Sequence, residues 1–312
     1  MRVVFLGTPE FAVPTLEALI AAGHQLAAIY TQPDRPKGRG NQLSQSPVKE
    51  AAARHGLLVL QPERIRRPEN IAALSELKPD VMVVVGYGQI IPQSIIDIPK
   101  HGILNVHASL LPKYRGAAPI QWAIANGESE TGVTIMQIDS GLDTGDMLLH
   151  WRTPIGLHET APELAARTAK EGANLLIETL RRFENGTALR EKQDDAEASY
   201  APILKKEDGL ILWTRPAQEI YNRLRGFTPW PGAYTQFRGQ QLQVIRAIPH
   251  PHSLNALSGT MQTDRRRLFV SCGSGSTLEL LQVQIQGKKR MATVDFLNGY
   301  PIAPNEQLGG NT

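Results

Sequence analysis

Short apolar runs alternate with longer segments of helical period through the first half of the chain. Residues 2–6, RVVFL, read as a buried strand that ends at Gly7-Thr8-Pro9. Phe11, Leu16, Leu19 and Ile20 then fall on one side of a helix. Pro9 and Pro14 suit only a helix's beginning, so regular helix is expected from near Val13, and Gly23 closes it. A strand over 26–30, a helix over 48–55, a strand over 57–60 and a helix over 71–77 follow. Residues 80–85, DVMVVV, are almost continuously apolar, as expected of a central parallel strand covered on both faces. Repeated strand–helix crossovers predict a doubly wound, Rossmann-like α/β sheet.

The next strand, over 103–106, carries the first chemistry. Side chains alternate faces along a strand, so Asn105 and His107 project the same way from its end. Ligands of open α/β sheets bind beyond the carboxyl ends of strands, where this amide and imidazole lie. A Pro- and Gly-punctuated loop over 110–119 leads into an apolar helix. A strand pair is expected over 131–138 and 147–155. Asp139, Asp143 and Asp146 lie between them with Gly141 and Gly145. The spacing does not fit an EF-hand and its closing Glu is missing, so the segment reads as a tight loop that presents a carboxylate, with no metal. Thr160 caps an amphipathic helix over 163–183, which Gly186 stops.

Composition then shifts. Residues 190–199 are polar and acidic and 205–209 are KKEDG, which places a linker near here. A short helix over 216–224 precedes short strands over 233–237, 242–248, 268–271 and 278–286, with Gly in the turns, the pattern of a small barrel. His250-Pro-His252 reads as an exposed loop. The expected domains are 1–203, including the linker, and 204–312.

The 312 residues suit two domains, and 41% hydrophobic with 20% charged residues is ordinary for a soluble protein. One cysteine, Cys272, excludes an intramolecular disulfide and disfavours a thiolate metal cluster. No run approaches the ~18 apolar residues of a membrane span. The N-terminus lacks a small-residue cleavage site, so the cytoplasm is expected. Gly7 stands alone without a GxGxxG fingerprint, which disfavours a nicotinamide oxidoreductase. From Leu204 onward there are 13 Lys and Arg against 7 Asp and Glu, net +6, while the rest carries 20 against 23, net −3. A basic back third suggests a polyanionic partner. A second basic stretch, over 32–47, has no periodicity and holds Arg35, Lys37 and Arg39 against Asp34 alone.

Five stretches carry a resemblance: NVHASLLPKYRGAAPIQWAI at 105–124, FLGTPEFA at 5–12, TQPDRPKGRG at 31–40, ETGVTIMQIDSGLDTGD at 130–146 and FTPWPGA at 227–233. Together and in this order they are similar to folate-dependent formyltransferases, in particular to those that act on methionyl-tRNA. The resemblance implies a C-terminal OB-like β-barrel domain that binds tRNA, 10-formyltetrahydrofolate as co-substrate, and initiator methionyl-tRNA as partner. A monomer is expected, and the lack of a long apolar run predicts no membrane association. By matching position, Asn105, His107 and Asp143 are catalytic, and Ser109, Leu110, Leu111 and Pro112 bind folate. The choice of Asp143 over Asp139 and Asp146 comes from the resemblance alone. Arg39 and Lys37 would meet the acceptor end of the tRNA, and Lys288, Lys289 and Arg290 are candidate phosphate contacts. One departure is visible: Leu210-Ile-Leu-Trp213 stands where relatives commonly place an acidic residue before the Trp.

The residues suit that chemistry. An amine that attacks a formyl carbon creates an oxyanion, and protons must leave one nitrogen and reach another. Asn105 and His107 can donate to the developing oxygen, and Asp143 can hold His107 protonated. No Ser or Cys nucleophile is required. Two rival readings remain. One is a related 10-formyltetrahydrofolate-dependent enzyme acting on glycinamide ribonucleotide or an amino-sugar. The other is a non-catalytic RNA-binding protein, which would leave the three polar residues without a purpose.

Overall fold

A computed structural model describes residues 1–37 and 42–309. The elements run in order as β1 (Arg2–Gly7), α1 (Val13–Ala21), β2 (Gln25–Tyr30), β3 (Arg35–Lys37), β4 (Gln42–Ser44), α2 (Pro47–Arg54), β5 (Val59–Leu60) and α3 (Pro68–Glu76). Then come β6 (Val81–Val85), α4 (Gln93–Ile96), β7 (Ile103–His107), α5 (Pro119–Ala125), β8 (Glu130–Gln137), β9 (Met147–Pro154) and α6 (Ala161–Glu184). The back part holds α7 (Ala217–Gly226), β10 (Ala233–Phe237), β11 (Gln240–His250), β12 (Met261–Asp264), β13 (Arg267–Ser271), β14 (Thr277–Ile285), β15 (Met291–Ala292) and α8 (Thr293–Gly299).

Two compact units result. The first comprises Met1–Pro119, Glu130–Pro154 and Leu164–Pro202; the second comprises Ile120–Ser129, Ile155–Glu163 and the chain from Ile203.

The first unit is built on a sheet of order β5-β2-β1-β6-β7-β8-β9. Pairing is parallel from β5 to β7 and antiparallel for β8 and β9. Alternation along the central strands supplies a core on each face. Val3, Phe5, Val81, Val83 and Leu104 pack with Leu16, Leu19, Val48 and Leu176 on one side. Val4, Leu6, Met82, Val84 and Ile103 pack with Ile65, Leu74 and Ile95 on the other. This two-sided burial is why β6 is apolar at every position.

The aperiodic stretch over 32–47 is not loop throughout: β3 and β4 pair as a short antiparallel hairpin, Arg35 opposite Ser44. These strands are too short to show the alternation that marks a strand in sequence. Residues 190–199 also differ from the linker expected of them. Glu191 exchanges backbone hydrogen bonds with Met147, and Ser199 and Ala201 bond Arg115, so the stretch is built into the first unit.

The second unit contains an antiparallel sheet of order β10-β11-β14-β13-β12, with β15 added to β14. Its core gathers Trp213, Leu224, Phe237, Leu242, Leu268, Leu280 and Phe296. Residues 120–129 belong here because α5 packs tightly on α7. A Cβ on Gly226 would lie 2.8 Å from the Gln121 carbonyl oxygen, and Trp122 meets Phe227 edge-on at 5.3 Å. Trp213 Nε1 donates to the buried Thr235 hydroxyl at 3.0 Å. Trp213→Phe keeps an aromatic six-membered ring but removes the N–H-bearing ring, which leaves that hydroxyl without its donor and some space unfilled. It is expected to cost at least about 1–2 kcal/mol in urea unfolding monitored by circular dichroism. A midpoint identical to the parent would assign this bond no net stabilising role.

Candidate active site

β7 delivers Asn105 and His107 to the carboxyl edge of the sheet. Ile103, Leu104 and Val106 anchor the strand in the two cores, and Asn105 lies beside Val84 of β6 and Met136 of β8. Asp143 arrives from the β8–β9 connection and its carboxylate reaches both residues. Asn105 Nδ2 donates to Oδ1 at 3.5 Å, and His107 Nδ1 is 3.7 Å from Oδ2. The Gly116 N–H donates to Oδ2 at 2.8 Å. The structure therefore brings together three residues that are 38 positions apart at their widest.

Hydrogen bonding decides the histidine's tautomer. His107 Nε2 lies 3.0 Å from the Tyr114 carbonyl oxygen. A carbonyl only accepts, so Nε2 carries a proton and Nδ1 faces the carboxylate. In the neutral ring Nδ1 offers a lone pair; in the charged ring it offers a second N–H beside Asp143. His107 is 5% exposed, so this pair is largely shielded from bulk water.

The Asp139 carboxylate is engaged within its own loop. Asp139 Oδ1 accepts from the Gly141 N–H at 3.0 Å and from Thr144 Oγ1 at 2.7 Å, which folds its own loop. Asp146 follows Gly145, and its carbonyl accepts from the Gln137 N–H at 2.9 Å. Asp143 itself sits at φ +53°, and Tyr114 at φ +61°, both left-handed. Such conformations persist only where surrounding bonds hold them, and they gather at functional sites.

The loop of Ser109, Leu110, Leu111 and Pro112 lies next in the chain. The Ser109 hydroxyl donates to the Lys113 carbonyl at 2.6 Å. Thr134 Oγ1 donates to the Ser109 carbonyl at 2.7 Å and accepts from the Leu111 N–H at 3.2 Å. Ser109 and Leu111 are 0% and 7% exposed. Their side chains thus shape the loop from within, while Leu110 and Pro112 are half-buried. Leu142, the neighbour of Asp143, is 60% exposed and adds apolar surface beside the carboxylate.

A cleft of about 550 Å³ opens beyond the ends of β1 and β6, lined by Thr8, Gln32, Arg35, Ser46, Gly86 and Gly88 among others. This is the point where the strand order reverses, the expected position of a ligand crevice. Thr8 Oγ1 and Gln32 Nε2 both donate to the Tyr87 carbonyl at 3.1 Å. Asp34 accepts from Lys49 at 2.6 Å and from Gln61 at 2.8 Å, and these bonds hold its carboxyl below the usual range.

The candidate tRNA residues are placed less completely. Arg39 lies outside the described residues, and Lys37 ends β3. Lys288, Lys289 and Arg290 are exposed on the turn between β14 and β15. Arg267, by contrast, is paired with Asp264 at 2.8 Å and lies over the Phe269 ring. No group of three or more His, Cys, Asp and Glu suited to a metal occurs among the described residues. No helix among them is long and apolar enough to cross a membrane.

Thr134, Gly116 and Gln193 are contributors that the sequence pattern did not mark. Gln193 lies in the polar stretch over 190–199, which has no periodicity to interpret.

Residues 1–180 match the formyl transferase family, and residues 203–301 match the formyl transferase C-terminal domain. The chain is 57% identical over 309 residues to the methionyl-tRNA formyltransferase of Solibacter usitatus, covering 99% of each chain. It is 55% identical over 310 residues to that of Koribacter versatilis, again covering 99% of each. Among solved structures, the N-formyltransferase of Helicobacter canadensis, crystallised with folinic acid and dTDP-3-aminofucose, superposes with a TM-score of 0.66. It is 20% identical and covers 90% of this chain and 98% of its own. At that identity the likeness is one of fold.

Proposed function

The chain belongs to the formyl transferase family, and from that premise we propose that it transfers the formyl group of 10-formyltetrahydrofolate to the amino group of initiator methionyl-tRNA. The full-length identity to methionyl-tRNA formyltransferases supports this acceptor over glycinamide ribonucleotide or an amino-sugar. The convergence of Asn105, His107 and Asp143 at the end of β7 is the observation that carries the chemistry. It also disfavours a purely RNA-binding role. The proposed location is the cytoplasm, where translation takes place, and the proposed form is a monomer.

The folate supplies an activated formyl group, and the remaining work falls to the chain. Leu110, Pro112 and Leu142 offer apolar surface and loop backbone, which suits a flat ligand that is apolar on its faces and polar at its edges. The Asn105 amide donates to the formyl oxygen as charge develops there. His107 does the same from Nδ1 once that nitrogen is protonated. Nε2 stays bonded to Tyr114, so the ring does not have to turn to take up or give back a proton. Asp143 stabilises the charged ring and, with it, forms the proton carrier between the attacking and departing nitrogens. The donors are set before the substrate arrives, so little reorganisation is needed at the moment of reaction.

The test is an acceptor comparison with 10-formyltetrahydrofolate: methionyl-tRNA, an amino-sugar nucleotide and glycinamide ribonucleotide. Methionyl-tRNA is expected to be formylated far faster than the others. Preference for either small amine would overturn the acceptor assignment.

The second unit, which holds the basic back third of the chain, is the proposed tRNA-binding domain, helped by Arg39 and Lys37. Neutralising Lys288, Lys289 and Arg290 together is expected to weaken tRNA binding and make it less salt-sensitive. Each lost phosphate contact lowers the slope of log affinity against log salt by about 0.7–0.9. Filter binding at several salt concentrations measures this, and an unchanged slope would remove the β14–β15 turn from the interface.

A further inference from the structure

We propose that Gln193 is a positioning residue that holds the Asp143 backbone, and that Arg115 locks the Gln193 amide in the orientation needed for this. Gln193 Nε2 donates to the carbonyls of Asp143 and Gly145, both at 2.8 Å. Its Oε1 accepts from Arg115 Nε at 3.0 Å and from Nη2 at 2.8 Å. A guanidinium only donates, so the oxygen of the amide must face Arg115 and the nitrogen must face the loop. Arg115 is 2% exposed and also donates to Asp195 at 2.8 Å. A side chain this buried cannot swing away to release the amide.

The residues on either side of Arg115 make the arrangement specific to the catalytic pair. The Tyr114 carbonyl holds His107 Nε2, and the Gly116 N–H holds Asp143 Oδ2. Residues 114–116 therefore fix the imidazole through one neighbour and the carboxylate through the other. Through Arg115 and Gln193 they also fix the backbone that carries the carboxylate. Asp143 is left-handed at φ +53°, a conformation that the two carbonyl bonds help to maintain. Gln193, 50 residues away in sequence, thus helps to set the Nδ1-to-carboxylate separation through the Asp143 backbone.

This inference rests on the proposed roles of His107 and Asp143, so the experiment includes variants of both residues. Gln193→Glu is nearly isosteric and keeps an acceptor for Arg115, but it puts a carboxylate against two carbonyls. Gln193→Met keeps the volume and makes neither bond. Each is expected to lower kcat about tenfold for methionyl-tRNA formylation, with both KM values within about twofold of the parent. In an Asp143→Asn background, the same substitutions are expected to have no further effect on kcat, because Gln193 acts through Asp143. Additive losses in the double variants, or a parental kcat in both single variants, would overturn the proposal. If Asp143→Asn or His107→Ala alone left kcat unchanged, the catalytic assignment itself would fail, which is a separate result. Thermal unfolding of each variant identifies any loss that comes from the fold.

Discussion

His107→Ala is expected to lower turnover by about 10²- to 10³-fold while folate still binds. Removing one preorganised donor from a developing oxyanion typically costs ~3–4 kcal/mol of barrier, which corresponds to that range. In the proposed mechanism the imidazole also carries the proton, so its loss would remove two functions at once. Asn105→Ala removes a donor but no proton carrier and should fall near the lower end, about 10². The distinction is physical: Asn105 contacts Asp143 through an amide that cannot titrate, while His107 presents Nδ1 to the same carboxylate. Single-turnover formylation of methionyl-tRNA, with folate affinity measured in parallel, separates chemistry from binding. Near-parental turnover in either variant removes that residue from the mechanism. His107 is buried, so the alanine variant must also be shown to unfold cooperatively near the parental temperature.

Gly145→Ala should damage stability and activity together. A Cβ on Gly145 would lie 1.8 Å from the Gln137 carbonyl oxygen, a backbone atom that no rotamer change can move. Forcing extra volume into a packed site costs about 1–3 kcal/mol, and the upper end is expected where only backbone can yield. The displaced segment includes the carbonyl that, with that of Asp143, accepts from Gln193. Activity should therefore fall further than the fraction unfolded explains. Gly23→Ala is the informative contrast. Its Cβ would meet nothing within 4 Å, and only the left-handed backbone at φ +75° opposes it. Urea titrations of both variants give the comparison. A Gly145→Ala protein as stable as Gly23→Ala, with parental kcat, would show that the β8–β9 connection adapts without strain.

Much of the first unit was legible because local periodicity reports the surroundings of a strand. DVMVVV reads as doubly covered, and Val81, Val83 and Val85 do pack on the opposite face from Met82 and Val84. Regular helix was expected from near Val13, and α1 starts there. In the second unit, the strand expected over 233–237 coincides with β10, while β12 and β15 were not anticipated. At four and two residues they are too short for alternation to stand out. The β3–β4 hairpin has no signature in the sequence for the same reason.

That Asn105 and His107 share a face is legible from the chain alone, because the two-residue period of a strand leaves no other outcome. So is the sheet they extend from, through the alternation of apolar runs and helical segments. Apart from the resemblance, nothing local in the chain says which carboxylate meets them; the folded loop does. Asp139, Asp143 and Asp146 are chemically alike and lie within one turn-rich stretch. Only the folded loop turns Asp139 inward onto Gly141 and Thr144 and points Asp143 at His107. The tautomer of His107 follows from the Tyr114 carbonyl, whose position depends on a left-handed residue in the loop. Gln193 is the furthest case: it is 78 residues from the arginine that orients it, in a stretch whose polarity reads as a linker. A polar side chain has no periodic signature, and its hydrogen-bond partners exist only after the chain has closed the loops that bring them within 3 Å.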